Sequence, residues 1–221
     1  MYTRLDGILN RDELRQLHAL LATATFDDGM TTAGQAARGV KRNLQAVGLD
    51  AEQARRLFNE ALTRNDAFAR AALPFRILPP IFSRYGSGMN YGDHTDNPIM
   101  GGDVPVRTDL ALTVFLTEPD DYDGGELIID ADRDAQRVKL PAGCGVLYPA
   151  TSLHRVAPVT RGERIAAVTW VQSLVRDAAR RDVLADLAVV LAYLRSVAPN
   201  TRETLLVAKA RANLMRMWAE P

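Results

Sequence analysis

The sequence has a single cysteine in 221 residues, Cys144, so no internal disulfide can staple it. The Gly-Cys-Gly setting predicts a small turn or core residue, because no cationic neighbour is there to activate the thiol. Charge of one sign is missing too: Lys+Arg and Asp+Glu both number 27, for a formal net charge of zero. Without a global positive field the chain has little to attract nucleic acid or an anionic membrane, and a small neutral substrate or a protein partner fits better. No apolar run reaches the roughly 18 residues of a membrane span. The opening MYTRLDGILNRDEL places charges where a signal peptide needs an unbroken apolar stretch, so a soluble, cytoplasmic protein is expected. Internal repeats and low-complexity tracts are absent. Histidine is scarce, at three residues, so each can be weighed separately.

What is present divides into three kinds of pattern. Asn10 followed by Glu13 has capping-box spacing, with Leu14, Leu17, Leu20 and Leu21 on one side, which predicts a helix over 11–23. Residues 26–45, FDDGMTTAGQAARGVKRNLQ, show little periodicity, and Asp50 then caps a second helical stretch ending near Asn65. From 74 to 172 the chain breaks into short β-rich runs: PFRILPPIFSRY, MNYGDHT, TDLALTVFLT, GELIID, QRVKL, GVLYP, LHRVAPV and RIAAVTWVQ. About eight strands without intervening helices predict an all-β barrel or double-sheet jelly roll of the cupin kind. Beyond 175, Leu184, Leu187, Leu191 and Leu194 take a 3-4 spacing and Pro199-Asn200 interrupts, predicting helices over 177–197 and 201–219. These form a helical hairpin packed on the barrel or, as a homo-oligomer contact, on another subunit. The expected division is a domain of residues 1–175, with its β core at about 74–172, and a helical extension of 176–221.

The chemistry sits in the β region. His18 lies among leucines in the first helix with no acidic or histidine partner at ligand spacing, and reads as structural. His94 and Asp96 differ, because residues i and i+2 of an extended segment project from the same face, about 6.6 to 7 Å apart. His-x-Asp alone also describes a polar strand end leading into the Asn97-Pro98 turn. His154, in the later β run LHRVAPV, is the candidate third ligand, although a lone histidine there also reads as a satisfied core or surface residue. Two histidines and a carboxylate form the facial triad of non-haem Fe(II) oxygenases, although zinc or manganese on the same ligands would support a hydrolase or isomerase instead.

Arg164 favours the oxygenase. Period-2 alternation in RIAAVTW puts it on one face with Ala166, Val168 and Trp170, where a guanidinium needs a carboxylate such as the distal end of a dicarboxylate. The competing reading is an exposed strand arginine paired with Glu163 or Glu118. A hairpin register would leave Arg164 roughly 16 Å from His154 along the strands, so the reading requires the two strands in opposing sheets with Arg164 pointing inward. Tyr85 and Tyr91, just before the His-x-Asp, are candidates for holding the cosubstrate or orienting substrate, or for packing. Residues 97–108, NPIMGGDVPVRT, read as an irregular loop beside Asp96 that either covers the site or merely joins sheets.

The segments RYGSGMNYGDHTD, DYDGGELII and LYPATSLHRVAPVTRGERIAAVTW, with the HTDNP turn, resemble the Fe(II)- and 2-oxoglutarate-dependent dioxygenases of the prolyl 4-hydroxylase type. More narrowly, with TTAGQAARGVKRNLQ and the helical tail, the chain resembles the bacterial PKHD-type hydroxylases over nearly its full length. The resemblance implies a double-stranded β-helix core, iron at His94, Asp96 and His154, and the 2-oxoglutarate carboxylate at Arg164. It also implies O2 as oxidant, ascorbate as an auxiliary reductant, and oxidative decarboxylation of 2-oxoglutarate to succinate and CO2 coupled to hydroxylation of an unactivated C–H bond. Prolyl or lysyl substrates follow from fold kinship alone, so peptidyl residues, amino acids and siderophore-like small molecules all stand as substrates. A non-catalytic module binding a partner helix through the Leu184 to Leu194 stripe is the remaining alternative.

Overall fold

The computed structural model of the chain describes residues 2–32, 38–130 and 135–220. Its first helix starts where the capping pattern places it. Asn10 Oδ1 accepts from Asp12 N and Glu13 N, and the Glu13 carboxylate accepts the Asn10 N–H at 2.8 Å, closing the N-terminus of α1 (Arg11–Thr23). Unforeseen strands flank it, β1 (Thr3–Leu5) and β2 (Thr25–Asp28). Within the stretch read as aperiodic lie β3 (Lys41–Arg42) and β4 (Leu44–Val47), while 33–37 fall outside the described residues.

α2 (Gly48–Arg64) corrects the expected cap. Val47 is its N-cap and makes no side-chain hydrogen bond, Asp50 lies inside the first turn, and Gly48 enters the helix at φ +85°. Only glycine takes that angle cheaply, so β4 turns straight into the helix without an Asp or Ser cap. Asn65 both ends α2 and caps a second helix that the sequence reading passed over, α3 (Asp66–Ala72), by accepting from Phe68 N at 2.9 Å.

The β region follows. PFRILPPIFSRY is two strands, β5 (Pro74–Ile77) and β6 (Ile81–Tyr85), because Pro79-Pro80 cannot supply ladder N–H groups. β7 (Asn90–His94) comes next, then β8 (Ile99–Met100) and β9 (Val106–Arg107), which pair as a hairpin where an irregular loop was expected. The remaining strands are β10 (Leu110–Phe115), β11 (Asp123–Gly124), β12 (Leu127–Asp130), β13 (Ala135–Val138), β14 (Gly145–Pro149), β15 (His154–Val156), β16 (Val159–Arg161) and β17 (Arg164–Ser173). Two helices end the chain as predicted, α4 (Ala178–Val197) and α5 (Arg202–Trp218).

The larger sheet runs β1-β14-β10-β17-β6-β4-β2, with β5 also on β17, and the smaller runs β13-β12-β15-β7-β3. Among the described residues, the strands of both sheets pair antiparallel throughout. Two layers form from these sheets because β10 is buried on both faces. Its Leu110, Leu112 and Val114 pack with Leu17, Phe58 and Phe68 of α1, α2 and α3. Ala111 and Phe115, on the opposite face, pack with Leu127, Ile129 and Val156 of the smaller sheet. This is the double-stranded β-helix, with helices outside the larger sheet and the space between sheets left for a site. Leu184 of α4, with Leu214, Met215 and Trp218 of α5, packs on Leu73 and Val175. Among the described residues, no helix is long and apolar enough to cross a membrane.

Candidate active site

The site grows from one strand pairing. In the smaller sheet β15 lies antiparallel to β7 with His154 directly opposite His94, and facing residues of an antiparallel pair share a face. Asp96 continues the β7 path two residues on, so its carboxylate returns to that face. One ligand atom from each of His94, Asp96 and His154 lies within 4.8 Å of the others, and His154 Nε2 stands 3.9 Å from Asp96 Oδ1. His154 and the Asp96 side chain are 6% and 8% exposed.

Both imidazoles are oriented by the same local device. His94 Nδ1–H donates to Gly92 O at 2.8 Å and His154 Nδ1–H to Ser152 O at 3.0 Å, in each case two residues back. A carbonyl can only accept, so each Nε2 keeps its lone pair and faces the cluster. Tyr91 stacks on His94, with ring centroids 3.6 Å apart, and Tyr148 stands edge-on to His154 at 5.2 Å. Burial, and then the neighbouring His154, pull His94 down to about 4, so its ring is neutral at neutral pH. Burial pushes the Asp96 carboxyl up, against the opposing pull of His154, Trp170 and Lys41. Asp96 Oδ2 and Trp170 Nε1 are both buried and close no hydrogen bond of normal geometry. A buried carboxylate oxygen without a donor, beside two free imidazole lone pairs, is what a bound divalent cation would satisfy.

Arg164 stands in the opposing sheet, at the start of β17 and in register with Tyr85 of β6. It is 1% exposed, which removes the reading as a surface arginine. Glu163 pairs with Arg84 at 3.6 Å, and Glu118 accepts from Ala142 N at 3.2 Å. The guanidinium lies 5.2 Å from the ring centroids of both Tyr85 and Phe115, and its Nε has no hydrogen-bond partner. Gly125 makes room for it. That residue sits at φ +65°, and a Cβ there would meet Arg164 Cδ at 3.0 Å. A buried cation with an unmet donor fits one end of a dicarboxylate.

One cavity joins the two ends, lined by the three clustered residues, by Arg164, Val168 and Trp170, and by Tyr85 and Tyr91. Both tyrosines singled out in sequence therefore reach it. His18 does not: its Nε2–H donates to Leu116 O at 2.8 Å, as a structural histidine would. Sequence reasoning missed Tyr148, 2% exposed on the cavity wall, and also Lys41, Asn43 and Gln45. The last three alternate with Arg42 and Leu44, a period-2 signal hidden in a stretch taken as aperiodic. Burial lowers the Lys41 ammonium to about 8, against the attraction of Asp28 and Asp96, so it remains largely charged at neutral pH.

Residues 80–172 match the 2OG-Fe(II) oxygenase superfamily, and the full chain aligns with curated hydroxylases. A PKHD-type hydroxylase of Hyphomonas neptunium is 44% identical over 220 residues, 98% of each chain. Another from Synechococcus sp. is 46% identical over 219 residues, again 98% of each. The chain belongs to the PKHD-type hydroxylases. Members are Fe(II)- and 2-oxoglutarate-dependent oxygenases, so the cofactors are Fe(II), 2-oxoglutarate and O2, and the cluster and cavity fit them. Among solved structures, a Pseudomonas putida prolyl-4-hydroxylase is similar with a TM-score of 0.54, covering 78% of this chain and 92% of its own. At 19% identity that likeness speaks to the fold alone.

Proposed function

We propose that His94, Asp96 and His154 hold Fe(II) and that Arg164 receives the distal carboxylate of 2-oxoglutarate, in a hydroxylase acting on a C–H bond of a small-molecule or peptidyl substrate. The observation that carries this reading is the pair of unmet groups facing one cavity from opposite sheets: the Asp96–His94–His154 cluster, and the interior Arg164 guanidinium. Three protein ligands leave positions for a chelating cosubstrate and dioxygen. When bound, the iron supplies oxidative decarboxylation of 2-oxoglutarate coupled to C–H hydroxylation, with ascorbate as an auxiliary reductant. The chain's own part is positional. Two backbone carbonyls hold the imidazole tautomers, Asp96 brings a negative charge, and Tyr148 and Trp170 keep the walls apolar and water-poor. Peptidyl residues, amino acids and siderophore-like molecules are the substrates in view.

The same reading divides the chain into an oxygenase domain of 1–175 and a helical extension of 176–221, and locates the enzyme in the cytoplasm, where 2-oxoglutarate is supplied. Val189, Tyr193 and Val197 of α4, spaced by four and exposed, support self-association through the extension. Anaerobic titration with Fe(II) and then 2-oxoglutarate, followed by visible absorption, tests the core of the proposal. The chelate's charge-transfer band should form in the wild type and fail in His94→Ala, Asp96→Ala and His154→Ala. Turnover that needs no 2-oxoglutarate would instead favour a hydrolytic or isomerising metal.

A further inference from the structure

The motif DYDGGELII contains none of the residues proposed for iron and 2-oxoglutarate, yet it packs directly behind Arg164. β11 pairs with β16, Asp123 opposite Arg161 and Gly124 opposite Val159, with a bulge between the two pairs. Arg161 holds the Asp123 carboxylate by two hydrogen bonds, at 2.7 and 3.1 Å, and Gly125 N–H donates to Pro158 O at 3.2 Å. The backbones then approach closely. A Cβ on Gly124 would meet Pro158 O at 2.0 Å, and one on Gly162 would meet Asp121 O at 2.2 Å. The chain before β12 is thereby locked to the chain before β17, two residues short of Arg164.

Tyr122 is the side chain that this lock turns inward. It is fully buried and stands behind the cavity wall. The Lys139 ammonium lies 4.0 Å from its ring centroid and donates to its carbonyl oxygen at 2.7 Å. Gly125 borders both Tyr122 and Arg164, since a Cβ there would stand 3.0 Å from Tyr122 Cε2 and 3.0 Å from Arg164 Cδ. Burial raises the Tyr122 hydroxyl, and the largest opposing pull is Arg164, through its charge and through side-chain hydrogen bonding, so the two groups are within reach. Even so, Tyr122 Oη and Arg164 Nε are both buried and neither closes a hydrogen bond of normal geometry. An open acceptor beside an open donor, each costly to bury, is a matched pair that a small turn of the guanidinium would close.

We propose that Tyr122 is a positioning residue for the cosubstrate: its hydroxyl accepts from Arg164 Nε–H when 2-oxoglutarate is seated, so that the two Nη groups present their fork to the distal carboxylate. Tyr122 touches neither cosubstrate nor metal and acts through Arg164 alone. The inference rests on the Fe(II)/2-oxoglutarate reading of the site, and the two fail separately.

The test is anaerobic titration of 2-oxoglutarate into the full chain loaded with Fe(II), read at the charge-transfer band, in wild type, Tyr122→Phe, Arg164→Ala and the double variant. Tyr122→Phe should raise the 2-oxoglutarate Kd about tenfold when Arg164 is present, as loss of a hydrogen bond to a charged group does, and less than about twofold in Arg164→Ala. Fe(II) affinity should stay unchanged in Tyr122→Phe. General loosening of the motif would instead weaken both backgrounds alike. A crystal structure of the wild type with Zn(II) and 2-oxoglutarate needs no variant to fold, and in it Tyr122 Oη should lie within about 3.2 Å of Arg164 Nε. An unchanged Kd in Tyr122→Phe, an equal loss in both backgrounds, or the two atoms apart in the zinc complex overturns the proposal. If the wild type forms no charge-transfer band, the iron reading has failed and this inference goes with it.

Discussion

The two ends of the cavity are built from opposite kinds of structure. At one end His94 is the last residue of β7, His154 opens the three-residue β15 and Asp96 lies just beyond a strand, and each imidazole is held by a carbonyl two residues away. At the other end Arg164 opens the ten-residue β17, which is hydrogen-bonded on both sides by β10 and β6. Its stem rests on Gly125, almost forty residues away in sequence. The end with His94, Asp96 and His154 is thus organised locally, whereas the Arg164 end is organised by the sheet. Changes at the first should cost chemistry without folding, and changes at the second should cost both.

The sharpest break of that contrast is at the metal. His94→Ala, Asp96→Ala or His154→Ala should each take 2-oxoglutarate turnover to background, measured as succinate release, with little change in the thermal midpoint of the metal-free protein. The apolar layers on β10 contain none of the three, so the fold does not draw on them. A variant that keeps turnover removes its residue from the triad. Arg164→Ala comes next. Losing a desolvated bidentate contact costs about 2 to 4 kcal/mol, so the KM for 2-oxoglutarate should rise by roughly two orders of magnitude while Fe(II) binding stays intact. Lysine there should restore little, since it lacks the planar fork. An unchanged KM would mean that another cation holds the cosubstrate.

Protonation separates the ends in a gentler way. His94 titrates near 4 in the fold against 6.5 when free, so the unfolded chain binds more protons between those values. The contribution of His94 to stability is therefore present above about pH 6.5 and lost as pH falls toward 4. Asp96 has the opposite sign, because its raised pKa lets the metal-free fold keep a proton that a cation must displace. Metal affinity should consequently climb with pH, by at most about tenfold per unit for each proton released. Metal titrations at about pH 5 and pH 8 check this, and a flat profile would mean that no proton leaves the site on binding.

Gly125→Ala probes the link between the sheet and Arg164. The left-handed backbone and the 3.0 Å approach to Arg164 Cδ should together cost about 1 to 3 kcal/mol of stability. The KM for 2-oxoglutarate should rise less than in Arg164→Ala, with the metal titration untouched. Equal damage at both ends would show that they move as one body.

The same contrast explains what could be read in advance. The His-x-Asp pair, the capping box at Asn10 and the helices after 175 depend on residues two to four apart, and the structure places them as the spacing indicates. Arg164 could be put on the face of Val168 and Trp170, but its position opposite His154 depended on which sheet each strand joined. Lys41 and Asn43 were lost for a related reason. Their strands exist only by pairing with β7 and β6, some forty residues downstream, and polar side chains at alternate positions look like a solvent-facing edge until both sheets are present. Asp50 misled because glycine at φ +85° can enter a helix without a capping side chain.

The smallest effect expected is at β8 and β9, where the reading as a loop was wrong in form and the question of a lid remains worth testing. The hairpin is tied to the site by short bonds: Thr108 Oγ1–H donates to Asn97 O at 2.5 Å, and Thr108 N–H to Pro98 O at 3.0 Å, directly after Asp96. Met100 lines the cavity and Val106 is buried, whereas Ile99 and Val104 are each 56% exposed, so the hairpin presents two apolar residues inward and two outward. An anchored base with an apolar tip can swing down when substrate fills the cavity, burying those side chains and shedding water. Deleting residues 99–103 should leave Fe(II) and 2-oxoglutarate affinity intact and lower the ratio of substrate hydroxylated to succinate formed by roughly two- to threefold, with Met100→Ala giving a weaker version. The measurement is that ratio, taken with any substrate that the wild type hydroxylates. If it does not move, the hairpin is a rigid crossover, and water is kept from the metal by Tyr148, Trp170 and the 41–45 strip alone.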